Sequence, residues 1–458
     1  MRARRAAVSA GSVAIAAIAI VACRLTGGLT GGELPDAAGE GGPDGGGACD
    51  ADLASSLANC GACGHVCATG QNGFAACSDG GCVLSCATGY GDCDEAGANG
   101  CEVNLLATGA SCGRCGHDCL NPSPTACRNG LCVPYLMSNG TNTPVHIVED
   151  DVNIYGINAN GRVTRISKNG GALADIVQGD TSAQSPPPRI AYALSGDAGA
   201  LYFTGLGDAG PDASAMGTVS VVLASASNVK GTVLATTPDP YAVDATQTYV
   251  YWSEGNPETS TTSAIKRCKL GSCVAPYEPL VPTSPGRIES LRVKSGTTTS
   301  VIWTNAGTPP DELDSAVYHC DAKVNCAVQP YVEASKSPVG PFGLTFDGQF
   351  VFFTTLSGAV GNCSLTGCGG AATVLDQLQL GPRFIAVEGT NLFWTNGDGT
   401  IKSIPKNPPG GTAVGANERV LYENRSASPW DIVVDPDAIY WTDLNGSMGN
   451  PSLFKLAR

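Results

Sequence analysis

The stretch AIYWTD, residues 438–443, is one copy of a repeat that decides the fold of this chain. The other copies are NIYGIN (153–158), ALYFTG (200–205), YVYWSE (249–254), SVIWTN (300–305), FVFFTT (350–355) and NLFWTN (391–396). The position of Trp441, which we call the aromatic slot, is taken in turn by Gly156, Phe203, Trp252, Trp303, Phe353 and Trp394. Successive slots are 41 to 51 residues apart, and a period of this length is typical of repeat architectures.

Each repeat contains four short segments with the alternating, β-branched pattern of strands. In the sixth repeat they are FIAVEG (384–389), NLFWTN, GTIKSI (399–404) and RVLYEN (419–424). Four such strands make one propeller blade, so the sequence predicts an all-β fold with a seven-bladed β-propeller over residues 133–458. The seventh repeat ends after its third strand. CVPYLM, residues 132–137, is therefore predicted to supply the missing strand and close the ring, which removes open sheet edges.

The run Tyr440-Trp441-Thr442-Asp443 resembles the YWTD repeat of propellers in the low-density lipoprotein receptor family. The resemblance implies a propeller of that general kind. Receptor function is not carried over, because this ring has seven repeats where that family has six. We expect the side chains in the aromatic slot to pack between blades, with ligand stacking as the alternative.

The N-terminus has the pattern of an export signal. Arginines at positions 2, 4 and 5 precede an apolar run that ends at Ala22, which predicts a signal peptide over residues 1–22. Ile20-Val21-Ala22-Cys23 resembles the lipobox of bacterial lipoproteins, and the resemblance implies lipidation of Cys23. A plain signal peptide cut near Ala22 is the alternative. Residues 23–48 are rich in Gly and Pro and are predicted to form a flexible tether.

The charge of the chain limits its partners. A formal net charge of -15 argues against nucleic acid and against electrostatic attachment to anionic membranes. A lipid on Cys23 would instead attach the protein through acyl chains. Arg24 after the lipobox implies delivery to the outer membrane or cell surface of the envelope. We expect a monomer whose partner is a protein, peptide or glycan, with cationic ligands among the candidates.

Of the 21 cysteines, 14 lie between Cys49 and Cys132 and form two repeated modules of six. The module cores are CGACGHVC (60–67) and CGRCGHDC (112–119), and Cys86 and Cys93 between them are predicted to pair with each other. Export favours disulfides, so residues 49–132 are predicted to be a small disulfide-rich domain. A zinc site using His65 and His117 is the alternative. The modules resemble Cys-rich repeats of myxobacterial surface proteins, which implies no particular activity.

Two smaller patterns recur in the ring. Cysteine pairs follow the third strand of three consecutive blades, and each pair is predicted to staple the hairpin between strands three and four: Cys268 with Cys273, Cys320 with Cys326, and Cys363 with Cys368. Glycines lie five residues after the aromatic slot at positions 161, 358, 399 and 446, and Asn or Asp precedes three of them. We interpret these as turns, with calcium loops as the alternative, and expect neither a metal nor a cofactor.

Blades two, three and four are predicted to have long loops between strands two and three, over residues 205–216, 254–263 and 305–314. In a propeller these loops emerge on one face. They carry the acids that we take as ligand-binding candidates: Asp208, Asp212, Glu254, Glu258, Asp311, Glu312 and Asp314. Functionless variation of surface loops is the alternative.

These patterns favour a membrane-tethered binding protein, and not an enzyme, that uses the acidic loop face. A lyase or hydrolase acting in the central channel is the alternative, although the ring holds only His146 and His319. A third hypothesis makes the Cys-rich modules the recognition part and the ring their scaffold.

Overall fold

The computed structural model describes residues 52–119, 127–179, 189–195, 198–205, 216–255, 262–296, 298–307, 315–333, 340–369, 372–407, 413–446 and 450–458. The signal peptide, Cys23 and the tether predicted from the sequence lie outside these residues. Within the described residues, no helix is long and apolar enough to cross a membrane.

Seven antiparallel sheets of four strands follow one another along the chain. The strands of blade one are His146–Glu149, Asn153–Ile157, Val163–Ser167 and Ala174–Val177. Those of blade two are Ile190–Ser195, Ala198–Gly205, Met216–Leu223 and Thr232–Pro238. Those of blade three are Pro240–Ala245, Tyr249–Glu254, Thr262–Lys269 and Glu278–Pro285. Those of blade four are Ile288–Lys294, Ser300–Asn305, Ala316–Asp321 and Gln329–Glu333.

The last three blades repeat this order, and the predicted all-β, seven-bladed propeller is confirmed. The strands of blade five are Pro341–Phe346, Phe350–Thr355, Val360–Ser364 and Thr373–Asp376. Those of blade six are Pro382–Glu388, Asn391–Asn396, Thr400–Pro405 and Arg419–Glu423. Those of blade seven are Pro429–Val434, Ala438–Asp443, Ser452–Ala457 and Tyr135–Asn139.

The strand that closes the ring comes from the N-terminal side. Tyr135–Asn139 pairs antiparallel with Ser452–Ala457 as the fourth strand of blade seven. It begins three residues later than the predicted segment 132–137, because Cys132 belongs to a short hairpin of the Cys-rich part and Pro134 has no N–H to donate to a sheet. The first strands of neighbouring blades touch all the way round, including those of blades seven and one.

The side chains of adjacent residues in the repeat point to opposite faces of their blade, because side chains alternate along a strand. Tyr440 packs against Ile154 of blade one, while Trp441 packs against Phe393 of blade six. Tyr251 of blade three and Trp303 of blade four likewise share one buried cluster. The four tryptophans in the aromatic slot are 0% exposed. Packing between blades is therefore the role of this slot.

Blade one has no aromatic ring in the slot because Pro144 occupies the space. A Cβ on Gly156 would lie 2.3 Å from Cβ of Pro144. Pro144 belongs to the segment that leads into the first strand of the same blade. The one exception to the repeat therefore has a local packing cause.

The ends of the third strands are secured in two ways. In blades three, four and five each predicted cysteine pair forms a disulfide, and it joins strand three to the turn that follows, before strand four begins. In blades one, six and seven a basic residue after strand three reaches an acid on the preceding blade. Nζ of Lys168 lies 2.9 Å from Oδ2 of Asp435, and Nζ of Lys406 lies 2.8 Å from Oδ2 of Asp347.

The Cys-rich part is built from short hairpins and one turn of 3₁₀-helix, Gly109–Ser111. Its hairpins pair Gly73–Ser78 with Gly81–Cys86, Tyr90–Gly91 with Val103–Asn104, and Cys127–Arg128 with Leu131–Cys132. The disulfides link Cys60 to Cys77, Cys67 to Cys82, Cys86 to Cys101, Cys93 to Cys115, Cys112 to Cys127 and Cys119 to Cys132.

The predicted pair of Cys86 with Cys93 is wrong. Cys86 ends a strand beside Cys101, and Cys93 reaches across to Cys115 of the second module. These two bridges tie the segment between the modules to the second module. The spacing between modules conceals this, because it suggests a separate linker with its own bridge.

Candidate functional site

The residue after the aromatic slot positions the inner strands of the ring. Oγ1 of Thr442 accepts a hydrogen bond from the backbone N–H of Asp431 in its own blade at 3.1 Å. The same hydroxyl donates to the carbonyl of Val145 in the next blade at 2.8 Å. We call such a group a clamp hydroxyl, because it links the starts of the first strands of two neighbouring blades.

This clamp recurs around the ring. Thr204 donates to Tyr241 O, Thr304 to Phe342 O, Thr354 to Arg383 O and Thr395 to Trp430 O. The hydroxyls of Thr204, Ser253, Thr304 and Thr354 also accept the backbone N–H of the first strand in their own blade. These side chains are at most 1% exposed. The Thr or Ser slot of the repeat is therefore a structural position, a role that the sequence left unassigned.

The clamps gather several polar side chains at the end of the channel where the first strands begin. We call this end, which the loops between strands two and three also reach, the upper face. Trp430 donates its indole N–H to Nε2 of His146 at 3.4 Å, which leaves Nδ1 of His146 to donate to Oδ2 of Asp431 at 3.1 Å. Nη1 of Arg189 lies 3.1 Å from the same Nδ1. A buried His–Asp–Arg group thus joins blades seven, one and two.

Aromatic side chains fill the space around this group. Phe384 lies between His146, at 5.4 Å between ring centroids, and Trp430, at 5.6 Å. Phe342 contacts both Phe384 and Trp430. The guanidinium of Arg189 stacks on Phe384 at 4.8 Å. The cavity that remains has a volume of about 30 Å³, which is far below the roughly 300–1,000 Å³ of ligand pockets.

The electrostatics of the group follow from its burial. Burial, followed by the charge of Arg189, lowers the pKa of His146 from 6.5 to about 4, although the hydrogen bond to Asp431 opposes the change. Burial raises the pKa of Asp431, but hydrogen bonds from His146 and Ile147 and the charge of Arg189 outweigh it, so its pKa lies below the usual value. His146 is therefore neutral and Asp431 ionised at neutral pH.

We predict a specific pH dependence of stability from His146. Its pKa is lower in the folded chain than in the unfolded chain, so protons favour unfolding. The free energy of unfolding should be unaffected above pH 6.5 and should fall by about 3 kcal/mol between pH 6.5 and pH 4. Asp431 does not contribute in this window, because its stabilisation is lost only at lower pH.

The test compares wild type with His146→Asn, which keeps a donor near Asp431 but does not titrate. Urea unfolding measured at several pH values should give a difference between the two proteins that narrows from pH 6.5 to pH 4. Parallel curves across this range would show that His146 is not buried as a neutral ring.

Of the predicted ligand-binding acids, only Glu254 lies within the described residues. Oε1 of Glu254 is 2.9 Å from Nζ of Lys266 and 3.4 Å from the indole nitrogen of Trp252, and Thr237 also donates to it. Glu254 is thus engaged by its own blade and by the last strand of blade two. The other six acids, Asp208, Asp212, Glu258, Asp311, Glu312 and Asp314, lie outside the described residues.

The loop between strands two and three is long in the three predicted blades, and it is also long in a fourth blade. Strands two and three are separated by residues 206–215, 255–261 and 306–315 in blades two, three and four, but only by 397–399 in blade six. The sequence predicts a short turn in blade seven, yet residues 444–451 separate its second and third strands. The Asn-Gly at 445–446 concealed this, since Gly446 does not adopt a positive φ.

The short turns are made by side-chain caps. Oδ1 of Asn158 accepts the backbone N–H groups of Asn160 and Arg162, both at 3.0 Å. Gly161 then adopts a φ of +73°, which glycine tolerates best. Turn chemistry therefore accounts for the acidic and amide residues after the aromatic slot.

The histidines of the Cys-rich part do not join their neighbouring cysteines in a ligand set. Nδ1 of His65 lies 2.6 Å from the carbonyl of Cys60, and Nδ1 of His117 lies 2.7 Å from the carbonyl of Cys112. Both cysteines are in disulfides, so their sulfurs are not thiolates of the kind that bind zinc. The disulfide interpretation accounts for these modules.

His319, the second histidine of the ring, lies apart from the channel. It is on the third strand of blade four and stacks on Tyr331, with 3.7 Å between ring centroids. Burial lowers the pKa of His319. The two ring histidines therefore do not form one site.

Comparison with known proteins supports the fold and adds no activity. No family model matches the sequence, and no curated protein matches it. The chain is similar to the WD40 β-propeller domain of Doa1, with a TM-score of 0.50, 14% identity, and coverage of 70% of this chain and 96% of that one. It is also similar to Raptor from Chaetomium thermophilum, with a TM-score of 0.50, 11% identity, and coverage of 70% of this chain and 29% of that one. The likeness shows the fold alone.

Sequence reasoning missed the channel group. His146, Arg189 and Asp431 come from three repeats, and Asp431 is separated from His146 by most of the ring. One signal was present: Trp430 is the only tryptophan of the chain outside the aromatic slot. It marks the place where the first strands meet.

Proposed function

We propose that this protein is an exported, lipid-anchored binding protein that recognises a cationic protein or peptide through the upper face of its propeller. The observation that carries the proposal is the filled end of the channel. The described residues at this end of the channel leave a cavity of only about 30 Å³, which is too small for an ordinary small-molecule substrate and favours a macromolecular partner.

The alternative of a lyase or hydrolase in the channel has little support. His146 already contacts Asp431, Trp430 and Arg189, and the surrounding aromatic rings leave no room for a substrate. A general acid or base must approach the reacting atoms within hydrogen-bond distance. The described residues of the channel do not offer that access at His146.

The acidic loops give the proposed partner its charge. The six candidate acids that lie outside the described residues all belong to the loops of blades two, three and four. These loops contain no Lys or Arg in residues 205–216, 254–263 and 305–314. A surface of one sign attracts partners of the opposite sign and speeds their encounter. A partner rich in Lys and Arg fits this arrangement.

The test is a variant that neutralises the six acids and leaves Glu254 intact, because Glu254 is already bonded to Lys266 and Thr237. It carries Asp208→Asn, Asp212→Asn, Glu258→Gln, Asp311→Asn, Glu312→Gln and Asp314→Asn. The probes are Lys/Arg-rich peptides and uncharged peptides of the same length. Wild type should prefer the cationic set. The variant should bind that set at least about tenfold more weakly, equivalent to about 1.4 kcal/mol, at an unchanged melting temperature.

Two results would overturn this function. Equal affinity of the two proteins for the cationic peptides would show that the loop acids do not recognise them. Absence of a preference for cationic over uncharged peptides in wild type would remove the proposed partner class. A matched variant, Asp437→Asn, removes an exposed acid from the opposite face and should bind like wild type.

The anchor is tested separately at Cys23. In a bacterial host that acylates lipoproteins, wild type should incorporate labelled palmitate and sediment with membranes. Cys23→Ser should do neither. Equal membrane association of the two proteins would contradict the lipid anchor and would leave the peptide-binding test unaffected.

A further inference from the structure

A large cleft lies on the lower face, where the second Cys-rich module meets blades six and seven. Cystines of the module share a buried cluster with Phe393, Trp441 and Leu456 of these blades. Beside this contact is a cavity of about 1090 Å³. Small-molecule sites typically have volumes of roughly 300–1,000 Å³ and favour domain boundaries. The cleft is therefore large enough for a small ligand.

The cleft is basic in a strongly acidic chain. Arg114 of the module, Arg419 of blade six and Arg458 of blade seven line it, against one acid, Glu418. Both oxygens of Glu418 are engaged on blade six, at 3.0 Å from Nζ of Lys402 and 2.6 Å from Nε2 of Gln379. Because the chain has a net charge of -15, three arginines in one cleft are an exception to its general character.

The arginines differ in how much of their hydrogen bonding is already used. Arg458 lies 4.0 Å from Oε1 of Glu388, donates to the carbonyl of Asp435 at 2.8 Å and stacks on Phe393 at 4.8 Å, so its charge and its donors are already engaged. Arg114 and Arg419 are exposed on opposite walls of the cleft. Their planar guanidinium groups suit the two-point recognition of carboxylate or phosphate.

His117, which lines the same cleft, has an unpaired ring nitrogen. Nδ1 of His117 lies 2.7 Å from the carbonyl of Cys112, and a carbonyl only accepts, so Nδ1 carries the hydrogen. Nε2 of His117 is buried and has no hydrogen-bond partner among the described residues. A buried polar atom without a partner destabilises the fold, because it has lost its hydrogen bonds to water. A ligand hydroxyl that donates to Nε2 would remove this destabilisation.

We propose that this cleft binds a small hydroxylated polyanion, a ligand with at least two carboxylate or phosphate groups and one hydroxyl. Arg114 and Arg419 bind its acidic groups from opposite walls, and Nε2 of His117 accepts its hydroxyl. The ligand bridges the Cys-rich module and the ring. This site is on the face opposite the acidic loops and is independent of them.

Calorimetric titration of the full chain with citrate, which has three carboxylates and a hydroxyl, tests the site. Glycerol 1,3-bisphosphate and vesicles containing cardiolipin, which both present two phosphates and a hydroxyl, serve as free and membrane-bound phosphate probes. Wild type should bind citrate or a phosphate probe at one site per chain. The double variant Arg114→Gln, Arg419→Gln should bind at least about tenfold more weakly. Arg128→Gln, an exposed arginine of the same module outside the cleft, should bind like wild type.

Each outcome decides the proposal. Binding to vesicles alone that depends on Arg114 and Arg419 would support it and identify a lipid headgroup as the ligand source. Binding to the soluble anions with the same dependence would support a free polyanion. Absence of binding to all three probes, or equal weakening by Arg128→Gln, would overturn it. His117→Phe should weaken citrate but not tricarballylate, which lacks the hydroxyl; equal effects on both would remove the role of His117.

Discussion

Replacing Trp441 with alanine should lower the free energy of unfolding by about 3–5 kcal/mol, the usual cost of removing a large buried aromatic ring. Trp441 is 0% exposed. It stacks on Phe454 of its own blade at 5.3 Å and contacts Tyr422 of blade six at 5.1 Å between ring centroids. The cavity would open between two blades. Urea unfolding followed by circular dichroism measures the loss.

The matched control is Trp430→Ala in the same blade. Trp430 is only partly buried and lies at the channel end, where its loss opens no gap between blade faces. Its cost should be no more than about half that of Trp441→Ala. Equal costs for the two variants would show that the aromatic slot has no special part in blade packing.

Replacing Thr442 with valine should lower the free energy of unfolding by about 2–5 kcal/mol, although the two side chains have nearly the same shape. The change removes the hydroxyl that links Asp431 N–H and Val145 O. Both backbone groups then remain buried without a partner, and each such group costs about 1–3 kcal/mol. The loss falls where blade seven meets blade one, so it weakens ring closure directly.

Thr442→Ser keeps the hydroxyl and is the control. Blade three already uses Ser253 in this position, where it accepts Ala242 N–H at 3.0 Å. Thr442→Ser should therefore cost less than about 1 kcal/mol, mainly for the lost methyl group. If serine and valine at position 442 are equally destabilising, the clamp is not what makes this position important.

The fold was predictable because each blade carries the same sequence pattern. Side chains alternate along a strand, so a pair such as Tyr440-Trp441 is needed wherever a blade has neighbours on both faces. The period gives the number of blades, and the missing fourth strand of the last repeat points to closure from the N-terminal side. The sequence does not explain why Gly156 stands where the other repeats have an aromatic residue. The structure shows that Pro144 fills the space that a larger side chain would need.

The channel group was not predictable because it depends on contacts between distant parts of the chain. His146 and Asp431 are far apart in sequence and become neighbours only when the ring closes. No local spacing encodes that pairing. The predicted pairing of Cys86 with Cys93 was wrong for a related reason: the two look like a local pair, but each bonds a cysteine of a neighbouring segment.

Stability and recognition are assigned to different residues of the ring. The repeated residues stabilise the ring: the aromatic slot packs blade against blade, and the clamp hydroxyls fix the inner strands. Recognition is proposed for positions that depart from the repeat. These are the acidic loops on the upper face and the basic cleft under blades six and seven. Mutations in the repeat should therefore change stability first, and mutations in the loops or cleft should change binding first.

Both faces exist as described only if the ring closes through the strand Tyr135–Asn139. Amide hydrogen exchange of this strand tests closure directly, because its pairing with Ser452–Ala457 protects hydrogen-bonded amides until the blade opens. We predict that hydrogen-bonded amides of Tyr135–Asn139 exchange as slowly as those of Ser452–Ala457, and that Thr442→Val accelerates both strands together. Rapid exchange of Tyr135–Asn139 beside a protected Ser452–Ala457 would contradict the closed seven-bladed ring.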